Sequence, residues 1–218
     1  MDNFDTILFD LDGTLLQTGK GIKMALQQTL NEYGFGYIDS KYLESFIGPP
    51  IEVSIRKYFK TSDEVTAKIA FRFRELYQDK YLFEANVYNG VINLLEILRK
   101  NNYKLGLSTY KRESYTVPLI KYFNMFKYFD CIKGSEQDLN LTKKDIMLYC
   151  MERLDSLPEN TIMIGDTSSD YFASKELNIK FIAVTYGYGF KVGDEIPFPN
   201  ISIANSPFDI INFFTSKY

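Results

Sequence analysis

The sequence predicts an α/β fold in which a parallel sheet is flanked by helices and a small all-helical domain is inserted. Two observations predict it. From about residue 84 onward, short apolar runs typical of buried strands alternate with segments of helical periodicity. Between residues 17 and 83 this alternation stops, and only helical periodicity is found. We therefore expect an α/β core formed by residues 1–16 and 84–218, and a helical cap domain formed by residues 17–83.

The first strand is predicted at residues 5–10, where a short apolar run ends in a carboxylate and Gly13 then breaks the pattern. Within the inserted block, apolar residues recur at helical spacing. This predicts four helices, at residues 20–33, 42–46, 51–59 and from 63 onward. Ser62 and Asp63 both suit the N-cap of the fourth helix. No segment of the block has the pattern of a strong strand.

The remaining elements follow in alternation. Helices are predicted at residues 91–100, 114–123, 143–154, 168–177 and from 207 onward, with Pro207 at the first helical position. Strands are predicted at residues 104–109, 129–133, 161–165, 181–184 and 201–204. Strands that alternate with helices indicate βαβ units, so the predicted sheet is parallel and Rossmann-like.

Composition excludes several classes of function. The net charge of -3 and the absence of a basic block predict no nucleic-acid or membrane partner. There is no long apolar run and no basic segment at the N-terminus, so we expect a cytoplasmic protein whose two cysteines, Cys131 and Cys150, are reduced. The chain contains no histidine, which excludes a Ser-His-Asp triad, a phosphohistidine and a His-ligated zinc site.

Four polar segments follow a predicted strand or begin a predicted helix. They are residues 10–14 (DLDGT), residues 108–109 (ST), Lys143, and residues 165–170 (GDTSSD). Ligands bind at the carboxyl ends of the strands in a parallel α/β sheet, so we expect these segments to converge there. The carboxylates would repel one another. Magnesium prefers oxygen ligands and suits phosphate substrates, so it resolves this repulsion.

These segments resemble the motifs of the haloacid dehalogenase-like superfamily, and the resemblance extends over the whole chain. FDLDGT at residues 9–14 is similar to the first motif, and KLGLSTYK at residues 104–111 is similar to the second. TKKD at residues 142–145 resembles the third motif, and GDTSSD resembles the fourth. The helical block resembles the cap that members insert after the first strand. IGPP at residues 47–50 resembles the cap loop of phosphoglycolate phosphatase-like members.

The resemblance implies magnesium-dependent hydrolysis of a small phosphate monoester. It implies that Asp10 is the nucleophile that forms an aspartyl-phosphate, and that Asp12 is the general acid and base. Thr109 would bond a phosphoryl oxygen, and Lys143 would neutralise charge on Asp10 and the phosphoryl group. The family's common Lys-Pro pair is absent, so Lys111, Lys133 and Lys144 stay open as alternatives to Lys143.

The resemblance also implies a metal site and a substrate site. The metal ligands would be Asp10, the backbone carbonyl of Asp12, and Asp166. Asp170 would complete the metal site by holding metal-bound waters, or would orient Lys143. The residues implied to bind substrate are Gly13, Thr14, Thr109, Tyr110, Lys143 and Gly48. Tyr110 stands where members often carry Asn or Ser. Further candidate contacts from the cap are Gln17, Thr18, Lys20 and Arg74.

Several alternatives stay open. A phosphoglucomutase-type transferase has the same fold, but residues 48–54 lack the basic residue that those relatives carry in this segment, which favours hydrolysis. A dehalogenase would lack the second acid, Asp12. A non-catalytic sensor of phosphorylated metabolites would not need the full set of acids. We expect a small phosphorylated metabolite as the partner and either a monomer or a homodimer, and the sequence does not identify the substrate.

Overall fold

The computed structural model describes residues 4–135, 141–194, 196 and 201–215. Residues 1–3, which belong to the segment used to judge a secretory signal, lie outside this set. The chain forms two compact units. One consists of Met1–Gln17 together with Val87–Tyr218, and the other is Thr18–Asn86.

The first unit is built on a parallel sheet. Its strands are β1 (Thr6–Phe9), β4 (Lys104–Arg112), β5 (Cys131–Ser135), β6 (Thr161–Gly165), β7 (Lys180–Val184) and β8 (Ile201–Ala204). They are ordered β5-β4-β1-β6-β7-β8, and every neighbouring pair is parallel. The strand β1 is entirely buried and lies between β4 and β6, so its carboxyl end lies between those of its neighbours. Two short strands, β2 (Leu16–Gln17) and β3 (Asn86–Val87), pair separately.

Within the described ranges, five α-helices accompany this sheet: α5 (Val91–Lys100), α6 (Glu113–Tyr122), α7 (Lys143–Arg153), α8 (Ser168–Glu176) and α9 (Pro207–Thr215). Helix α7 packs against β4, β5 and α8, and α5 packs against α9. Capping boxes begin α7 and α8, with Thr142 and Asp145 at the first and Thr167 and Asp170 at the second. These caps fix where the two helices start, and both starts contribute to the site described below.

The second unit is helical. It contains α1 (Gly19–Glu32), α2 (Ser40–Glu44), α3 (Ile51–Phe59) and α4 (Asp63–Leu76), and α4 continues into a π-helix at Tyr77–Tyr81. The side chain of Ser62 caps α4 by accepting a hydrogen bond from the N–H of Val65. Its core is formed by fully buried aliphatic side chains from α1, α3 and α4, namely Leu26, Leu30, Ile55, Ile69 and Ala70.

The predicted fold class is confirmed: a parallel α/β sheet carries a helical insertion. Boundaries differ at several places, and strand β4 continues past its predicted end at residue 109 to Arg112. Helix α2 begins earlier than predicted because the side chain of Asp39 accepts a hydrogen bond from the N–H of Lys41. Strand β5 begins two residues later than predicted because a 3-10 turn at Phe126–Tyr128 precedes it. Strands β2 and β3 were not predicted, since two residues are too few to show an alternating pattern.

In the part of the chain that the structure describes, no helix combines the length and the apolar character needed to cross a bilayer. Cys131 and Cys150 are both buried, and both carry free thiols.

Candidate active site

Asp10, Lys143 and Asp170 form a buried ionic network beyond the carboxyl ends of β1 and β6. Asp10 directly follows β1, and Lys143 is the first residue of α7. The ammonium nitrogen of Lys143 lies 2.6 Å from Oδ1 of Asp10 and 2.8 Å from Oδ1 of Asp170. It also donates to the carbonyl oxygen of Ser108 at 2.8 Å. Only 3% of the Lys143 side chain is exposed, so this lysine is held by fixed partners rather than by solvent.

The other lysines that the sequence left open have different partners. Lys144 lies 3.3 Å from Glu176, and Lys133 lies 3.6 Å from Glu113. The ammonium nitrogen of Lys111 lies 3.0 Å from Oδ2 of Asp12. Lys143 is therefore the lysine that faces Asp10.

Asp166 completes a cluster of three carboxylates with Asp10 and Asp170. One carboxylate oxygen from each of the three lies within 4.8 Å of the others. Oδ2 of Asp166 accepts hydrogen bonds from the N–H groups of Tyr188 at 2.7 Å and Gly189 at 3.1 Å. Oδ1 is buried and has no hydrogen-bond partner among the described residues. Burial of an unsatisfied carboxylate oxygen is costly, so this atom is available to coordinate a cation.

Burial and mutual repulsion change the ionisation of these groups. Burial raises the pKa of Asp10 to about 7; Lys143 opposes this shift, and Asp170 and Asp12 add to it. Burial also raises the pKa of Asp166 well above its usual range, with further contributions from Asp10 and Asp170. Burial by itself would lower the pKa of Lys143, but Asp10 and Asp170 outweigh it and raise that pKa. The site therefore favours a bound proton or a bound cation over three free carboxylates.

Charge balance indicates which kind of cation fits. Four carboxylates, those of Asp10, Asp12, Asp166 and Asp170, stand against two ammonium groups, those of Lys111 and Lys143. The formal excess is two negative charges, which one divalent cation would neutralise. All side-chain donors in the cluster are carboxylate oxygens, and hard ions such as magnesium prefer these donors.

The loop after β1 is held tightly against Asp166. Gly13 has a φ of +84°, and a Cβ atom placed there would lie 2.2 Å from Oδ2 of Asp166. Only glycine accommodates both this backbone conformation and this approach. The N–H groups of Gly13 and Thr14 donate to the carbonyl oxygens of Leu16 and Leu11. They are already used inside the loop, and the binding of substrate by Gly13 and Thr14 stays a prediction.

Strand β4 contributes two consecutive side chains, those of Thr109 and Tyr110, with different partners. Oγ1 of the buried Thr109 accepts a hydrogen bond from the N–H of Lys111 at 3.2 Å. The hydroxyl of Tyr110 accepts one from the N–H of Lys143 at 2.8 Å, and the Lys143 ammonium lies 5.8 Å from the Tyr110 ring centroid. The hydroxyl of Tyr110 thus caps the start of α7, and substrate binding by Tyr110 stays a prediction.

Two of the five candidate contacts from the inserted segment, Lys20 and Arg74, pair with acidic residues of the same unit. Lys20 pairs with Glu84 at 2.6 Å, and Arg74 pairs with Glu52 at 2.5 Å. Thr18 is buried directly before α1, and Gly48 has a φ of +104° in the segment between α2 and α3. Gln17 is an exposed residue of β2. Substrate binding by all five residues stays a prediction.

Sequence reasoning missed two features of the site. The first is the ion pair of Lys111 with Asp12. The second is the loop after β7, Tyr186-Gly187-Tyr188-Gly189, whose backbone holds Asp166. A Cβ atom at Gly189 would lie 2.2 Å from the carbonyl oxygen of Asp166, so the loop requires glycine there. The alternation of tyrosine and glycine directly after a predicted strand was the available signal.

Comparison with known proteins places this geometry in a family. The model of the haloacid dehalogenase-like hydrolase family matches residues 7–184. A 5'-nucleotidase of Pseudomonas aeruginosa is 29% identical over 187 residues, which cover 85% of this chain and 85% of that protein. A phosphoglycolate phosphatase of Aquifex aeolicus is 30% identical over 194 residues, covering 88% of this chain and 89% of that protein.

A solved structure shows the same fold. The crystal structure of a predicted phosphatase from Clostridium acetobutylicum superposes with a TM-score of 0.91 at 31% sequence identity. The superposition covers 98% of this chain and 99% of that one. The likeness thus includes the helical insertion as well as the sheet.

Proposed function

This chain belongs to the haloacid dehalogenase-like hydrolase family, and from that premise we propose that it is a magnesium-dependent phosphatase of small phosphate monoesters. One observation carries the proposal. Asp10 is buried and lies 2.6 Å from Lys143, inside a cluster of three carboxylates. This is the arrangement that a carboxylate nucleophile needs, because the adjacent lysine orients it and stabilises negative charge on the phosphoryl group.

In the first step, an oxygen of Asp10 attacks the phosphorus atom of the ester. The bond from phosphorus to the leaving oxygen breaks, and a proton from Asp12 passes to that oxygen. The product of this step is an aspartyl-phosphate on Asp10 and a free alcohol. Lys143 holds Oδ1 of Asp10 throughout, so the carboxylate has a fixed orientation when it attacks.

In the second step, water replaces the alcohol. The carboxylate of Asp12 takes a proton from water while the water oxygen attacks the same phosphorus atom. The bond between phosphorus and Asp10 breaks, which releases inorganic phosphate and restores both acids. Thr109 lies on the neighbouring strand β4 and is buried, and we assign its hydroxyl group to bond a phosphoryl oxygen.

The residues present fit a magnesium ion. Oδ1 of Asp166 is buried without a hydrogen-bond partner among the described residues, and the carboxylate cluster contains neither a sulfur nor an imidazole donor. Asp10, Asp166, Asp170 and the backbone carbonyl of Asp12 would hold the ion. When bound, magnesium supplies positive charge that offsets the carboxylates and the phosphoryl oxygens.

The relatives support a choice of first substrates to test. A 5'-nucleotidase and phosphoglycolate phosphatases match the chain over most of its length, so phosphoglycolate and nucleoside monophosphates are the first esters to test. We assign the helical unit, Thr18–Asn86, as a cap domain that selects among them. Residues 48–54 carry no Arg or Lys, which favours hydrolysis over mutase-type transfer.

The test is phosphate release from a panel of small phosphate esters, with and without magnesium, for the wild type and Asp10→Asn. We expect release to require magnesium and to fall roughly a thousandfold or more in Asp10→Asn, since this change removes the nucleophile. Asp63→Asn, a change at an acid whose side chain is 87% exposed, is the matched control and should retain activity. Near-native release by a folded Asp10→Asn protein would contradict the proposal.

A further inference from the structure

Lys111 and Asp12 form an ion pair that is almost fully removed from solvent. The ammonium nitrogen lies 3.0 Å from Oδ2 of Asp12, and only 5% of the lysine side chain and 11% of the aspartate side chain are exposed. The two residues are 99 positions apart in the sequence, so the fold brings them together. Resting on the proposed function, we propose that Lys111 is the positioning residue that orients Asp12 for proton transfer to and from the leaving group.

The local structure explains how Lys111 reaches Asp12. Strand β4 continues past the predicted end at residue 109 to Arg112, and its register with β5 shifts between Ser108 and Arg112. The N–H of Lys111 donates to Oγ1 of Thr109, which ties the lysine backbone to the residue we assign to the phosphoryl group. Lys111 is therefore anchored at its backbone by Thr109 and at its ammonium group by Asp12.

The two lysines of the site contact different acids. Lys143 contacts Asp10 and Asp170, whereas Lys111 contacts Asp12. A buried ammonium group loses its hydration, and this loss is costly unless the geometry with its partner is good. An ion pair in this place thus gives orientation rather than net stability. It holds the acid that moves protons separately from the acid that attacks phosphorus.

The chemistry defines what Lys111 does and does not do. In the first step the proton on Asp12 moves to the leaving oxygen as the ester bond breaks, and in the second step Asp12 takes a proton from water. Lys111 keeps its own protons in both steps, and its contact with Oδ2 of Asp12 fixes the direction of that carboxyl group. Loss of Lys111 should therefore matter most where the leaving oxygen needs a proton.

The first experiment compares two esters in Lys111→Met and wild type. The alkoxide of an alkyl phosphate is a poor leaving group unless it receives a proton. The leaving group of p-nitrophenyl phosphate, p-nitrophenolate, departs as a stable anion. We expect kcat for the alkyl ester to fall roughly tenfold to a hundredfold, part of the usual gain from general acid catalysis, and kcat for the aryl ester to fall less than about threefold. Lys111→Arg should recover part of the loss on the alkyl ester.

Lys133→Met is the matched control, because Lys133 lies on the neighbouring strand, is 14% exposed and pairs with Glu113. It should leave both esters near wild-type rates. An equal loss on both esters in Lys111→Met, or a rise in KM with kcat unchanged, would overturn the inference, because Lys111 would then be acting on the fold or on the substrate. If Lys111→Met does not fold, Lys111→Gln, which also removes the positive charge, takes its place in the same comparison of the two esters.

A double-mutant cycle with Asp12→Asn tests whether Lys111 acts through Asp12. If it does, Lys111→Met should cause no more than about a threefold further loss on the alkyl ester in the Asp12→Asn background. A full additional loss in that background would refute positioning. The proposed function fails separately: it fails if the wild type releases no phosphate or if Asp10→Asn stays active, whatever the Lys111 variants show.

Discussion

The α/β unit and the helical unit use charged residues in opposite ways. In the α/β unit, Lys143 and Asp10 form a pair whose side chains are 3% and 10% exposed. In the helical unit, Arg72 and Glu32 form a pair whose side chains are each 36% exposed. An exposed pair contributes little to stability because water and salt screen it, whereas a buried pair is costly to desolvate. The α/β unit thus accepts an energetic cost at the place where the proposed chemistry needs charge.

The helical unit derives its stability from apolar contacts instead. Leu26, Ile55 and Ile69 are fully buried within it. Stacked rings add to this core, with Phe73 and Tyr77 at a centroid distance of 5.7 Å. The contrast predicts that changes to the buried charges of the α/β unit alter activity, while changes to exposed charges in either unit alter little.

The largest effect is expected when the single variants Lys143→Met and Lys144→Met are compared, because the first removes a buried charge and the second an exposed one. Lys143 is buried against Asp10 and Asp170, but the adjacent Lys144 is 42% exposed and pairs with Glu176. We expect kcat of Lys143→Met to fall roughly a thousandfold, because negative charge on the phosphoryl group loses its buried partner. Lys144→Met should stay within about twofold of wild type, as expected for an exposed pair. Steady-state phosphate release measures both, and equal losses would contradict the division.

The second test is the pH dependence of stability without metal. The pKa of Asp10 is raised from 3.8 to about 7, so between these values the folded protein holds a proton that the unfolded chain has released. The free energy of unfolding should therefore fall as pH rises from about 4 to about 7, by up to roughly 1.4 kcal/mol per pH unit for this group. Urea unfolding in EDTA at several pH values measures the slope.

Two comparisons sharpen that test. Asp10→Asn removes the titrating group, so its slope should be shallower than that of the wild type. Magnesium binds the ionised carboxylates, so saturating magnesium should raise stability most at the upper end of this pH range. A metal-free wild type whose stability rises steadily across the range would contradict the assigned direction of the pKa shift.

The two units also differ in how far the sequence predicts them. The sequence predicts strand β1 because a short apolar run there ends in polar residues. It also predicts that the segments around Asp10, Lys143 and Asp166 lie close together, since parallel strands end at one edge of the sheet. The pairing of Lys111 with Asp12 does not follow from either local sequence. It depends on where β4 ends and on a shift in register, which are set by long-range packing.

The hydrogen bond of Tyr110 shows the same limit. Its position in the motif gave no sign that its hydroxyl accepts a hydrogen bond from the N–H of Lys143, 33 residues away, and substrate binding by Tyr110 stays a prediction. Periodicity predicted the helices of the second unit well because their apolar faces pack locally. Periodicity could not show which polar residues of those helices pair with each other. This matters for Arg74, a candidate substrate contact that pairs with Glu52.

The smallest effect is expected for Arg74→Met. Arg74 was a candidate substrate contact, yet its guanidinium nitrogen lies 2.5 Å from Glu52 within the helical unit, and its side chain is 23% exposed. We expect the free energy of unfolding to fall by no more than about 1 kcal/mol, and kcat/KM to change less than about threefold. Glu52→Gln is the matched variant, because it breaks the same pair and keeps the arginine. If Arg74→Met raises KM about tenfold while Glu52→Gln does not, Arg74 binds substrate, and charged residues of the helical unit take part in recognition.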